Sequence, residues 1–88
     1  MKVVVRVSKG FKKQAKPLLK KFPSLNHELV QLEKELIENP KTGKSIGHDL
    51  YKIRIAVKSK GKGKSGGLRV ISHIETEIYC KMIQILSF

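Results

Sequence analysis

The sequence predicts a small α+β domain in the order β-α-α-β-β-β, in which a helical hairpin packs on one face of an antiparallel sheet. Three observations support this fold class: a β-branched run at the start, two stretches of helical periodicity in the first half, and period-two alternation in the second half. The 88 residues leave room for one hydrophobic core, so residues 1–88 are expected to form a single domain.

The first strand and the first helix are predicted from a change of period at Ser8. Residues 2–7 contain three consecutive valines and end in Val7, which is typical of a strand. After Ser8 the apolar residues recur at helical spacing, and lysines occupy the opposite face. The apolar positions are Phe11, Ala15, Leu18, Leu19 and Phe22. Pro17 lies inside this stretch and lacks a backbone donor, so we expect a kink or a later helix start.

A second helix follows, with Ser24 as its predicted N-cap. Its apolar stripe consists of Leu25, Leu29, Leu32 and Leu36. Residues 39–49 contain the breakers Asn, Pro and Gly and are predicted to form a loop.

The second half of the chain predicts three strands of an antiparallel meander, near residues 50–58, 68–75 and 78–86. In the first of them one face is apolar and the other is basic, because the side chains alternate. The apolar face carries Tyr51, Ile53, Ile55 and Val57, and the basic face carries Lys52, Arg54 and Lys58.

The charge of the chain points to an acidic partner. Nineteen Lys and Arg against seven Asp and Glu give a net charge of +12, which an anionic ligand would neutralise. No acid occurs between Leu50 and Ile74. The cations of this stretch are Lys52, Arg54, Lys58, Lys60, Lys62, Lys64 and Arg69. We expect Lys58, Lys60, Lys62 and Lys64 to bind RNA phosphates, the alternative being a flexible, soluble hairpin connection.

Other classes of function are excluded by motif and composition. The segment Gly63-Lys64-Ser65 lacks the first glycine of a P-loop, since position 58 is lysine, and it leads into a strand where a P-loop needs a helix. A single cysteine, Cys80, cannot form an internal disulfide, and the histidines lack metal-ligand spacing. We therefore expect no cofactor, no metal and no membrane span, in a cytoplasmic protein.

Arg54 and Arg69 are candidate phosphate contacts, because a guanidinium grips phosphate bidentately and stays charged. An alternative is that they pair with Glu75 or Glu77. His73 is a candidate general acid or base, or else a structural histidine without a catalytic role.

Three segments, YKIRIA at 51–56, SKGKGKSGG at 59–67 and LRVI at 68–71, resemble the RelE/ParE superfamily of bacterial type II toxins. Together with the helical hairpin before them, the likeness covers nearly the whole chain. It implies the β-α-α-β-β-β fold and a cognate antitoxin that wraps the toxin. RelE-type members cleave messenger RNA on the ribosome, whereas ParE-type members inhibit DNA gyrase and are not nucleases.

By position, Lys52 and Arg54 resemble the basic pair on the family's second strand, and Arg69 resembles the arginine on its third. The resemblance and the chemistry together predict a catalytic set of Lys52, Arg54, Arg69 and His73, in which fixed cations stabilise the charge that builds on the phosphoryl oxygens. Relatives continue from the last strand into a polar segment that supplies further catalytic groups, whereas this sequence stops at IQILSF, residues 83–88. We therefore expect the RNA-binding face to be present and cleavage to be weak or absent.

The leading interpretation is a RelE-like, ribosome-dependent messenger RNA endoribonuclease toxin with an antitoxin partner. The alternatives are a ParE-like gyrase inhibitor and a plain RNA-binding module. The basic strand face favours RNA, because a surface that targets a protein would carry more exposed apolar anchors.

Overall fold

The computed structural model describes residues 3–60 and 67–87, and it has the predicted α+β class. In chain order the elements are β1 (Val4–Val7), α1 (Lys9–Lys21), α2 (Leu25–Glu38), β2 (Lys44–Ser45), β3 (Leu50–Ile55), a 3-10 turn (Lys58–Lys60), β4 (Leu68–Ile74) and β5 (Tyr79–Ser87). Lys62 and Lys64, two of the predicted phosphate contacts, lie outside the described residues.

The five strands form one mixed sheet in the order β1-β5-β4-β3-β2. The predicted meander is confirmed, because β3 pairs antiparallel with β4 and β4 with β5. The prediction of a wholly antiparallel sheet is wrong, because β1 pairs in parallel with β5. The helical hairpin connects β1 at one edge of the sheet to β2 and β3 at the other edge. The meander of β3, β4 and β5 then leads the chain back to β1, and β5 runs beside β1 in the same direction.

A further strand, β2, lies within the predicted loop of residues 39–49 and pairs with β3. Gly43 precedes it with a φ of 99°, and a Cβ at this position would lie 2.6 Å from the carbonyl oxygen of Lys52. Only glycine fits this close approach in the left-handed region. Two residues are too few to give a recognisable alternation, which is why the sequence did not predict β2.

The first helix starts directly after Ser8 and continues through Pro17, so of the two expected effects of Pro17 the later start is excluded. Ser8 caps the helix, because its Oγ accepts a hydrogen bond from the backbone N–H of Phe11 at 3.0 Å. Residues on both sides of Pro17 pack into the core, including Ala15 and Leu18, and this packing holds the helix together across the missing donor.

Ser24 occupies the N-cap position of α2, but its side chain does not cap the helix. Its Oγ instead donates to Oε1 of Glu28 at 3.0 Å and accepts from the backbone N–H of Ser59 at 3.0 Å. The hydroxyl thus joins α2 to the 3-10 turn that follows β3.

The core forms between the two helices and one face of the sheet, which agrees with the predicted packing of a helical hairpin on one sheet face. Both helices contribute buried residues, among them Phe11 of α1 and Leu32 of α2. The sheet contributes Ile53, Leu68, Val70, Cys80, Met82 and Ile85. Within the described residues, no helix is long and apolar enough to cross a membrane.

Candidate nucleic-acid interface

The sheet face opposite the helices, called the open face below, is defined by strand alternation and pairing register. Ile53 and Val70 are register partners that point into the core, so their neighbours Arg54 and Arg69 lie on the open face. None of the five strands contains an aspartate or a glutamate. The open face is therefore built from strands that supply cations and no carboxylates.

One corner of the open face, the arginine corner, consists of Arg54, Arg69, Lys52 and Lys44. Arg54 lies directly opposite Arg69, and Lys52 lies directly opposite Lys44. Side chains that face each other across a strand pair are about 5 Å apart at Cβ, and like charges in such pairs are destabilising. Both arginines also make contacts within the chain. A phosphate bound at this corner would relieve the remaining repulsion.

The other corner of the open face, the tyrosine corner, consists of Arg6, Lys81, His73 and Tyr79. Lys81 lies between Arg6 of β1 and His73 of β4 in register. The guanidinium of Arg6 stacks on the ring of Tyr79, with 4.3 Å from Cζ to the ring centroid. Lys81 forms an ion pair with Glu75 at 3.5 Å.

The predicted catalytic residues therefore fall into two groups. Lys52, Arg54 and Arg69 occupy neighbouring positions of the arginine corner. His73 is four residues from Arg69 along β4, which corresponds to about 13 Å at roughly 3.3 Å per residue. A phosphate held between the two arginines would lie beyond the immediate reach of His73.

The predicted phosphate contacts Lys58 and Lys60 lie in the 3-10 turn beside the helical hairpin. The backbone N–H of Lys58 donates to Oε2 of Glu28 at 2.7 Å. The ammonium of Lys60 lies 5.2 Å from the ring centroid of Phe22, at the end of α1. The Lys60 side chain therefore points toward the helices and away from the open face.

Two acids of α2 lie near the arginine corner, since Glu28 and Glu35 both line a groove that Arg54 also lines. Glu35 of α2 lines the same edge groove as Lys44, Lys52 and Arg54, next to β2. These carboxylates offset part of the positive charge of the arginine corner.

A second surface feature is an apolar groove along α1. Leu19 is its most exposed apolar member, at 37%. The groove is lined by Val7, Phe11, Ala15, Leu19 and Leu29, with Lys12, Lys16 and Lys20 at its rim. The helical periodicity predicted a basic side of this helix but not a groove, because Val7 and Leu29 come from other elements.

The described residues contain no group of three or more His, Cys, Asp and Glu that could hold a metal ion. Burial raises the pKa of the Cys80 thiol, and the nearby carboxylate of Glu75 adds to the rise. Because Cys80 is buried in the core, its thiol is not a nucleophile for the open face.

Three cations of the open face were not among the sequence-predicted site residues: Arg6, Lys44 and Lys81. Arg6 and Lys44 belong to strands whose pairing the sequence did not predict, since β1 was not assigned to β5 and β2 was missed. Alternation within β5, where Lys81 lies between Cys80 and Met82, was the one available signal.

Comparison with known proteins identifies no relative, since neither a family model nor a curated protein matches the chain. The RelE/ParE likeness therefore remains a prediction from the sequence.

Proposed function

We propose that this protein is a RelE-like toxin that binds RNA on its open face, with the phosphate backbone crossing the arginine corner. The observation that carries the proposal is the cross-strand pair of Arg54 and Arg69, flanked by the pair of Lys44 and Lys52. Four cations in two adjacent rows, on strands without an acid, suit a polyanion better than a protein surface.

The chemistry of RNA cleavage explains what such a corner would do. Attack of a ribose 2′-oxygen on the adjacent phosphate builds negative charge on the phosphoryl oxygens, and the bond from phosphorus to the 5′-oxygen then breaks to leave a 2′,3′-cyclic phosphate. The 2′-oxygen loses a proton in this step and the leaving 5′-oxygen gains one. Arginines held on strands stabilise that charge without reorganising, and losing one contact of this kind typically lowers the rate by roughly 10²–10³. Lys52 is next to the arginine pair and, as a cation, is the candidate that donates a proton to the leaving 5′-oxygen.

Primer-extension mapping of messenger RNA after induction tests the proposal. Wild-type protein should give cuts within translated codons, and Arg54→Glu with Arg69→Glu should abolish both the cuts and the toxicity. The matched control is Lys9→Glu with Lys13→Glu, which changes the net charge equally on exposed positions of α1. Full toxicity of the arginine variant would contradict the proposal, and supercoiling defects without cuts would favour a gyrase inhibitor instead.

One observation favours a second candidate function, an RNA-binding module without cleavage. His73, the one predicted proton-transfer histidine, is about 13 Å along β4 from Arg69. Under this alternative the purified protein binds single-stranded RNA with a strong salt dependence and leaves it intact. Specific cuts on ribosomes programmed with messenger RNA would exclude it.

The proposal includes an antitoxin, for which the groove along α1 is the candidate docking site. An apolar floor with lysines at the rim suits an amphipathic segment with acidic flanks. Leu19→Glu should abolish neutralisation by the antitoxin, whereas Val30→Glu on α2, a residue of similar exposure at 43%, should not. Equal neutralisation of both variants would place the antitoxin elsewhere.

A further inference from the structure

The stack of Arg6 on Tyr79 is built from strands at the opposite corner of the open face from Arg54 and Arg69. Val5 and Val7 pack against the core, so Arg6, which lies between them, is directed to the open face. Its Cζ lies 4.3 Å from the Tyr79 ring centroid, which is stacking distance. Arg6 is exposed and Tyr79 is half-buried, so the ring supports the guanidinium from below and leaves its outer face to solvent.

A supported guanidinium of this kind is a platform for a nucleobase. Its plane is held by the ring, so little side-chain freedom remains to be lost when a base stacks on its outer face. Proteins that bind single-stranded RNA use aromatic rings and arginine planes in this way. The neighbouring Lys81 shares its charge with Glu75, and within the described residues Arg6 forms no ion pair.

We propose that Arg6 and Tyr79 form a base-stacking subsite for single-stranded RNA whose backbone also crosses the arginine corner. This inference rests on the proposed RNA function. Four residues of strand rise and two strand spacings separate Arg69 from Arg6, roughly 16 Å in total. That distance is too long for a single phosphate, so the two corners contact different nucleotides of one strand. A stacking subsite also differs in kind from the arginine corner, because it recognises bases and not charge.

The test compares a decameric single-stranded RNA with an abasic decamer of the same phosphate number, by fluorescence anisotropy. Arg6→Lys keeps the charge and loses the plane, and Tyr79→Leu removes the supporting ring. Both variants should bind the ordinary RNA roughly tenfold or more weakly and the abasic chain as well as wild type does. Val30→Ala on α2, an exposed and uncharged position, is the control for an unspecific surface change, and melting curves establish that each variant is folded.

Three results would overturn the inference. An equal loss on both decamers would make Arg6 a phosphate contact only. Unchanged binding of both decamers would mean that no base stacks there. If the variants altered self-association in ultracentrifugation and left RNA affinity unchanged, the edge strand β1 would be a protein interface. The parallel variant Arg54→Ala with Arg69→Ala separates the two proposals: if it too binds RNA normally, the proposed function fails, and if it alone loses affinity, only the stacking subsite fails.

Discussion

The outer surface of α1 and the open face of the sheet are both strongly basic, but they are built from different residues. The helix carries six exposed lysines and no acid: Lys9, Lys12, Lys13, Lys16, Lys20 and Lys21. The open face carries all three arginines of the sequence, Arg6, Arg54 and Arg69, on three different strands. Net charge alone does not distinguish the two surfaces.

The difference lies in how well each cation is positioned. A lysine on an exposed helix is a hydrated point charge on a flexible stem, so it attracts a polyanion without fixing its path. The backbone of an arginine on a strand is fixed by pairing with a neighbouring strand, and its guanidinium presents a rigid fork of donors. We infer that α1 contributes salt-sensitive attraction and that the open face determines where RNA binds.

The largest expected effect comes from removing the two arginines of the arginine corner. Arg54→Ala with Arg69→Ala should weaken single-stranded RNA binding by about 100-fold or more, because each charged hydrogen bond contributes roughly 1.5–3 kcal/mol. Lys9→Ala with Lys13→Ala removes the same charge and should weaken binding less than about tenfold. Anisotropy titrations at several salt concentrations measure both losses.

The salt dependence sharpens this comparison. If the arginine pair holds one phosphate, its loss lowers the logarithmic salt slope by about 0.7, whereas two lysines on separate phosphates lower it by up to about 1.4. Affinity and slope should therefore rank the two variants in opposite order. Equal losses of affinity would show that positioning on the strands adds nothing to charge.

How much of this arrangement could be predicted depends on the range of the interactions involved. The helices follow from local periodicity, and alternation in β3 already separates Ile53 from Arg54. The pairing of β1 with β5 joins residues more than seventy positions apart, such as Val5 and Cys80, and no local pattern encodes it. The corner of Arg6 and Lys81 could not be predicted for that reason, and β2 was too short to be recognised.

Substitutions at Gly43, next to the open face, and at Gly10, in α1, test the backbone of each surface. Gly43→Ala should lower the free energy of unfolding by roughly 2 kcal/mol or more, because its φ is 99° and the new Cβ would meet the Lys52 carbonyl at 2.6 Å. Gly10→Ala in α1 should instead raise it by up to about 1 kcal/mol, since the nearest atom to its Cβ is 3.8 Å away. Urea unfolding measures both, and a destabilised Gly10→Ala would contradict the helical assignment.

A smaller effect is expected where α1 joins the sheet. Ser8→Ala removes the hydrogen bond that caps α1 and the bond from Ser8 Oγ to the Ile83 carbonyl at 3.1 Å. Thermal or urea unfolding should show a loss of about 1 kcal/mol, with RNA affinity of the folded protein unchanged. Ser45→Ala on β2 is exposed and serves as the control, with an expected change within about 0.5 kcal/mol. A loss of RNA affinity in Ser8→Ala would mean that the two surfaces are coupled.

The last effect depends on pH and lies in the core between the two surfaces, where the pKa of the Cys80 thiol is raised by burial. Below the pKa of the unfolded thiol, both states are protonated and the stabilisation is fully present. As the pH rises through the interval up to the folded pKa, the unfolded state releases its proton first, so stability falls by at most about 1.4 kcal/mol per pH unit. The difference in unfolding free energy between wild type and Cys80→Val isolates this contribution, since the lysines and tyrosines are common to both. The unfolding free energy of wild type relative to that of Cys80→Val should decline above about pH 8.5. A constant difference would mean that the thiol titrates equally in the folded and unfolded states and is not shielded by the sheet and helices around it.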